Sequence, residues 1–355
     1  MLSPSKTVTA CPFSMDAAYA RFPNPAANGF RLPRCRAVAL VAALLLFTST
    51  AMAGTQTLRF QPHWVPQAQF AGFYLAKDMG WYQDAGVELE ILPHGAEHPA
   101  PATLANEEAD VALLYLTQAL ELREQGVDVV NVAQLIQDSS LVLVSLAESG
   151  IMVPEDLDGQ RVSRWASFSL QPEALFRTYG VAPDTVDQGA TMAALRTGAV
   201  TAAMATRYNE LVDLYLSGLD PDEIDIMPLE DHGVGLAEDG IYVLESTLRE
   251  HPDAIRSFVE VSLRGWEHAF AHPDAALDAV MDRIIRAGEP TNRAHQRLML
   301  EALRPLYLKD ETLRGPRLNR QDYQLAVSLM RNLGHLEWEP VPYEQFHRDV
   351  MHERP

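Results

Sequence analysis

The sequence predicts an α/β fold of two lobes hinged around a cleft, on three observations. Short β-branched or apolar runs alternate with longer helical patterns from residue 57 onward. Residues 161–206 then form a segment built like the first lobe in miniature, in the order strand, helix, helix, strand. The chain leaves its first set of elements once and returns once, which builds a cleft of the kind in which α/β proteins hold small ligands.

The first 53 residues read as an export signal. Arg31, Arg34 and Arg36 precede an apolar run over residues 37–47, and Ala51-Met52-Ala53 supplies the small residues a signal peptidase requires. That run is too short to remain as a spanning helix. The mature chain is expected to begin near Gly54; the stretch before Arg31 is long for such a signal, and Met15 is an alternative start. Both cysteines, Cys11 and Cys35, precede Gly54, so the mature chain offers no disulfide, thiolate ligand or cysteine nucleophile. A lipid-anchoring cysteine would follow the apolar run, so a free periplasmic protein is expected.

The full chain carries 28 basic and 48 acidic residues, a net charge of −20. Setting aside Lys6, Arg21, Arg31, Arg34, Arg36 and Asp16 leaves 23 against 47, a net of −24. Such a surface repels nucleic acid and anionic lipid, and a solubilising role accounts for it better than an acidic partner-binding face does.

In order, residues 57–61 form a strand, 68–83 a helix, 87–92 a strand, 100–108 a helix, 110–114 a strand and 117–125 a helix that stops at Gly126. An apolar stretch follows at 127–136. Residues 141–146 alternate and read as the strand that leaves the first lobe. The second lobe is expected from strand 161–165, helices 171–179 and 192–197, and strand 200–206. Runs at 225–228 and 241–244 carry the chain back, after which 252–271 reads as a long amphipathic helix and the remainder as mostly helical. The expected division is therefore 54–143 for the first part of lobe 1, 144–224 for lobe 2, and 225–355 for the return and the C-terminal helices.

The run His63-Trp64-Val65-Pro66-Gln67-Ala68-Gln69-Phe70, its helix, the turn Gly80-Trp81-Tyr82 and Ala85-Gly86-Val87-Glu88-Leu89 resemble a known opening. It is that of the ABC-transporter substrate-binding proteins for thiamine pyrimidine precursors, alkanesulfonates and related solutes. Ser140-Leu141-Val142-Leu143-Val144-Ser145-Leu146 and Pro154-Glu155-Asp156-Leu157-Asp158-Gly159 resemble the crossover and the start of the second lobe. Tyr208-Asn209-Glu210 and Asp231-His232-Gly233, with Glu238-Asp239-Gly240-Ile241-Tyr242, resemble the return. The resemblance is collinear over nearly all of the mature chain. It implies a type II periplasmic binding protein fold, a small-molecule ligand, an inner-membrane permease as partner, a monomer, and no cofactor.

The same family contains eukaryotic pyrimidine synthases. They use a lysine and a histidine four residues apart on the third-strand segment, together with a cysteine-rich run near the return. Leu114 and Gln118 stand at the first two positions here, and residues 233–240 contain no cysteine. The resemblance thus implies binding without the synthase chemistry.

A heterocycle is held by stacking on aromatic faces and by a few buried hydrogen bonds that fix its edge. Trp64, Gln67, Gln69 and Phe70 leave the first strand together, with core packing and helix capping as their alternative roles; Tyr74, on the following helix, reads as packing. Tyr115 and Gln118 stand where the third strand gives way to a helix. Gln137, Asp138 and Ser139 precede the crossover, as contacts or as turn residues. Trp165 ends a strand before Ala166-Ser167-Phe168-Ser169, where Ser167 and neighbouring amides could donate from a helix start; only Arg164 brings a cation, which gives an anionic ligand weak support. Tyr208, Asn209 and Glu210 match an aromatic, asparagine and glutamate group that contacts the ring in pyrimidine-binding relatives, and they also suit the first turn of a helix. Glu238 and Asp239 either reach the cleft or solvate a turn ending in Gly240, with the turn preferred.

His63, His94 and His98 lack the spacing of a zinc site, so no metal is expected. No Gly-rich phosphate loop or Gly-x-Ser-x-Gly elbow occurs. The ligand expectation places a thiamine-type pyrimidine first, a flavin or other heterocycle second, and a sulfonate or nitrate third. A ligand sensor serving a membrane kinase and a secreted synthase are the rival functions.

Overall fold

The computed structural model describes residues 55–94, 98–337 and 339–352, without the side chain of Ser167. The expected export signal lies outside the described residues. Strands β1 (Gln56–Gln61), β2 (Val87–Ile91), β3 (Val111–Leu114) and β4 (Val129–Gln134) are separated by helices α1 (Ala71–Asp78), α2 (Ala100–Ala105) and α3 (Leu116–Glu124). Next come β5 (Leu141–Leu146), β6 (Arg161–Arg164), α4 (Leu170–Tyr179), β7 (Asp184–Asp187), β8 (Ala202–Thr206), α5 (Glu210–Leu216) and β9 (Ile224–Pro228). Strand β10 (Gly240–Leu244) leads into helices α6 (Pro252–Ala271), α7 (Pro273–Ala287), α8 (Arg293–Tyr307) and α9 (Arg320–Leu333).

The two five-stranded sheets run β2-β1-β3-β10-β4 and β7-β6-β8-β5-β9. Each has parallel strands on one side and one antiparallel strand inserted from a connecting segment: β10 between β3 and β4, and β5 between β8 and β9. This is the two-lobed α/β architecture expected from the sequence.

Strand β5 shows why its sequence is apolar at every position but Ser145. Leu141 and Leu143 pack with Val162, Leu175 and Met204 on one face, while Val142 and Val144 pack with Leu195 and Leu214 on the other. A strand covered by helices on both faces has no solvent side to supply polar alternation. The same pairing corrects the expected division of the chain. Boundaries at 143/144 and 224/225 cut through β5 and β9, yet both strands lie wholly in the second sheet, so the crossings fall at residues 135–140 and 229–239.

In the first lobe, Leu58, Phe60, Phe73, Phe258 and Trp266 share one core, and α1 lies against α6 without side chains between them at the closest point. A Cβ on Gly265 would sit 2.3 Å from the Gly72 carbonyl oxygen, and one on Gly72 would sit 2.5 Å from Cγ of Trp266. The single helix expected over 68–83 is instead a 3-10 turn at Ala68–Phe70, α1, and a short turn Trp81–Asp84. Gly80, at φ 73°, takes the left-handed conformation that ends α1. Among the described residues no helix is long and apolar enough to cross a membrane.

The lobes meet along two seams. On one, Asn209 Oδ1 lies 3.0 Å from His295 Nε2. On the other, α9 packs Leu329 and Leu333 against the second-lobe core, Arg177 donates to the Asn332 carbonyl, and His335 lies 3.5 Å from Glu173.

Candidate functional site

Between those seams the carboxyl ends of strands from both sheets converge on a buried polar cluster. Its centre is Asp239, fully buried in the segment entering β10. One Asp239 oxygen lies 3.0 Å from His63 Nε2, and the other accepts from Gln69 Nε2 at 2.9 Å. Gln67 Nε2 in turn donates to Gln69 Oε1 at 2.7 Å, so the loop after β1 is pinned to the return segment. Buried polar groups carry a high cost unless paired, and this chain of bonds pairs them.

Glu238, 1% exposed, ties the return segment to the crossover. Its carboxyl accepts from the Ser140 amide and, at 2.8 Å, from the Ser140 hydroxyl. Ser139 Oγ is 3.4 Å away and itself accepts from Gln171 Nε2 at 3.3 Å. Burial pushes the Glu238 carboxyl up to about 8; the Ser140 hydroxyl opposes the shift and the neighbouring Asp239 charge adds to it. Tyr115 and Tyr208, one phenol from each lobe, are both buried near the cluster; burial raises both hydroxyls well above the ordinary tyrosine range, followed by Asp239 and Glu238 for Tyr115, and by Tyr115 and then those carboxyls for Tyr208. The Tyr115 ring stands 5.0 Å from His63 and meets Phe168 edge-on at 4.5 Å.

A cavity of about 210 Å³ opens beside this cluster, lined by Tyr115, Gln118, Phe168, Gln171, Glu238 and His335 among others. It offers aromatic walls, amides and a carboxyl floor, with residues from both lobes.

The structure sorts the residues expected from the sequence. It brings Gln67, Gln69, Tyr115, Ser139 and Tyr208 into the cluster, and Gln118 both lines the cavity and accepts from the Tyr115 amide at 3.1 Å. Phe70 is fully buried in the first-lobe core against Tyr74. Trp64 is 45% exposed, stands 5.5 Å from His94 and lines a separate groove of about 380 Å³ with Lys77 and Arg283. Glu210 does not line that groove. The cause is local: Pro62 and Pro66 bracket the loop, and His63 takes the inward position. Asp138 pairs with Arg314 at 2.8 Å, and Trp165 packs partly buried on the second-lobe core, where Phe168 supplies the ring at the cavity. The side chain of Ser167 lies outside the described residues. Asn209 makes the interlobe contact with His295, but Glu210 opens α5 and its carboxylate is engaged by the Thr206 amide and hydroxyl and by Asn209 Nδ2, at 2.7–2.9 Å.

Of the two roles read for Glu238 and Asp239, the preferred solvated turn gives way to the cleft: both are buried at the core of the site. Gly240 misled that reading. It lies inside β10, where a Cβ would meet the Tyr242 ring at 2.6 Å, so glycine is there for close approach rather than for a turn. Two acids immediately before a wholly apolar strand were the available signal.

The family model described as "NMT1/THI5 like" matches residues 67–276. The chain belongs to that family. Within it, the riboflavin-binding protein RibY of Chloroflexus aurantiacus is 28% identical over 259 residues, covering 70% of this chain and 72% of that protein. A formylaminopyrimidine-binding protein of Halalkalibacterium halodurans is 24% identical over 297 residues, covering 81% and 87%. Relatives also include 4-amino-5-hydroxymethyl-2-methylpyrimidine phosphate synthases, such as that of Aspergillus parasiticus at 21% identity over 67% of this chain and 74% of the synthase. Among solved structures, the periplasmic aliphatic sulphonate binding protein SsuA of Escherichia coli aligns with a TM-score of 0.62 at 14% identity, covering 79% of this chain and 94% of that one, which shows the shared fold.

Proposed function

We propose that this member of the family is an exported solute-binding protein that captures a small ring compound between its lobes and presents it to an ABC importer. The observation that carries the reading is the buried interlobe cluster, in which phenols, amides and a carboxyl from both lobes meet beside one cavity. A ligand touching both lobes favours the closed arrangement because only that arrangement makes both sets of contacts. The binding-protein relatives and the expected export signal support delivery from the periplasm. Leu114 is buried in the core and Gln118 serves as a helix cap, so neither position supplies a synthase-like lysine or histidine.

The cavity of about 210 Å³ lies below the roughly 300–1,000 Å³ typical of sites for drug-sized ligands, which favours a single ring such as an aminopyrimidine. The RibY relationship supports riboflavin as the second reading. Thermal unfolding of the purified protein with 4-amino-5-hydroxymethyl-2-methylpyrimidine, riboflavin or methanesulfonate tests the proposal. At a concentration of about 100 times Kd, a true ligand adds about 2.7 kcal/mol of stability, and the pyrimidine is expected to raise the midpoint. An unmoved midpoint with all three compounds refutes it. The Tyr208→Phe variant is expected to bind the pyrimidine about three- to tenfold more weakly by calorimetry, as one neutral hydrogen bond is lost; unaltered affinity takes Tyr208 out of the site.

A further inference from the structure

We propose that the cavity selects an uncharged or cationic ring bearing N–H donors and rejects anions, because its lining offers no counter-charge, with Glu121 at the rim opposing an anion and Glu238 on the floor serving as an acceptor; this rests on the solute-binding reading. Among the described residues that line the cavity there is no lysine or arginine, while Glu121 and Glu238 both face it and Asp239 lies directly behind. Arg164 and Arg207, at the ends of β6 and β8, are turned to other partners, Glu173 at 3.2 Å and Glu230 at 3.6 Å. His335, the one basic group on the wall, also lies beside Glu173. An anion entering here would lose its water and find no counter-charge, which is the arrangement that excludes a wrong partner rather than merely failing to attract it.

A further feature fits a donor-rich ring. Both Glu238 oxygens contact only Ser139 and Ser140, so even a protonated carboxyl keeps acceptor capacity for an amino group or ring N–H. One observation pulls the other way: Ser169, Leu170 and Gln171 at the start of α4 line the same cavity, and a helix start favours anions. That pull is only a partial charge, and Glu173 in the first turn of the same helix, with Glu121 on the cavity lining, opposes an anion there.

Calorimetry at pH 7 with matched pairs decides the matter: 4-amino-5-hydroxymethyl-2-methylpyrimidine against its phosphate monoester, and riboflavin against its 5′-phosphate. In whichever pair binds, the uncharged member is expected to bind at least about tenfold more tightly, since an anion stripped of water in a site without a counter-charge carries a large penalty. Glu121→Lys, at the exposed rim, is expected to shrink that ratio by about threefold or more, because it replaces a like charge with a counter-charge. A phosphate ester that equals or exceeds its parent, or a ratio untouched by Glu121→Lys, overturns the charge preference while leaving solute binding intact. If neither member of either pair binds, the solute-binding reading falls and the preference falls with it.

Discussion

Replacing Glu238 with glutamine is expected to abolish a decline in stability between about pH 4.5 and about pH 8. In the folded protein, burial holds this carboxyl protonated up to about 8, whereas its ordinary value is 4.5. Within that window the unfolded chain has released the proton and the native state retains it, so the unfolded state binds fewer protons and stability falls as pH rises. The contribution is fully present below 4.5 and is lost as pH climbs through 8. One such group has a slope of about 1.4 kcal/mol per pH unit, which sums to several kcal/mol across the window. Glutamine keeps the Ser140 contacts with an acceptor oxygen but has no proton to lose. Urea unfolding of both proteins at pH 5, 6, 7 and 8 reads the effect directly. Parallel curves for parent and variant would show that Glu238 ionises in the fold as freely as in water.

The second large effect lies away from the cluster. Gly265→Ala places a methyl 2.3 Å from the Gly72 carbonyl oxygen and 2.9 Å from the Ala76 Cβ, and the first of these is backbone that cannot rotate away. Helices α1 and α6 must separate, at a cost of about 1–3 kcal/mol for overpacking. Because α1 begins at Ala71, immediately after the turn carrying Gln69, the displacement also loosens the bonds that hold His63 and Asp239. The midpoint of denaturant unfolding and the affinity for the pyrimidine should therefore fall together. A variant as stable as the parent would mean that the helices have slack at this point.

The fold was legible because hydrophobic patterning and turn residues act locally. The strand over 141–146 and the helix over 252–271 could be read from periodicity alone, and both occur at those bounds. What periodicity does not encode is which sheet a strand joins; β5 is equally apolar whichever lobe receives it, so the division at 143/144 fell inside it. The site was legible where a residue type is unusual at a strand end, as with Gln69, Tyr115 and Tyr208. It was not legible where chemistry depends on burial. Glu238 and Asp239 look like solvated acids in sequence, and only contact with His63, Gln69 and Ser140 makes them interior groups. Trp64 fails in the opposite direction: its side chain suits stacking, yet the loop turns His63 inward and Trp64 out.

The insertion of β10 between β3 and β4 has a consequence for how the chain is made. When the ribosome has released only the first 140 residues, the N-terminal sheet has a slot where its fourth neighbour belongs, and β3 and β4 have no strand to join them. The slot is filled only after residues 240–244 emerge, so the earlier lobe in sequence is the later one to be completed. Until then its apolar edges remain open. For the export proposed above, such connectivity would keep the first lobe incomplete until residues 240–244 have been synthesised.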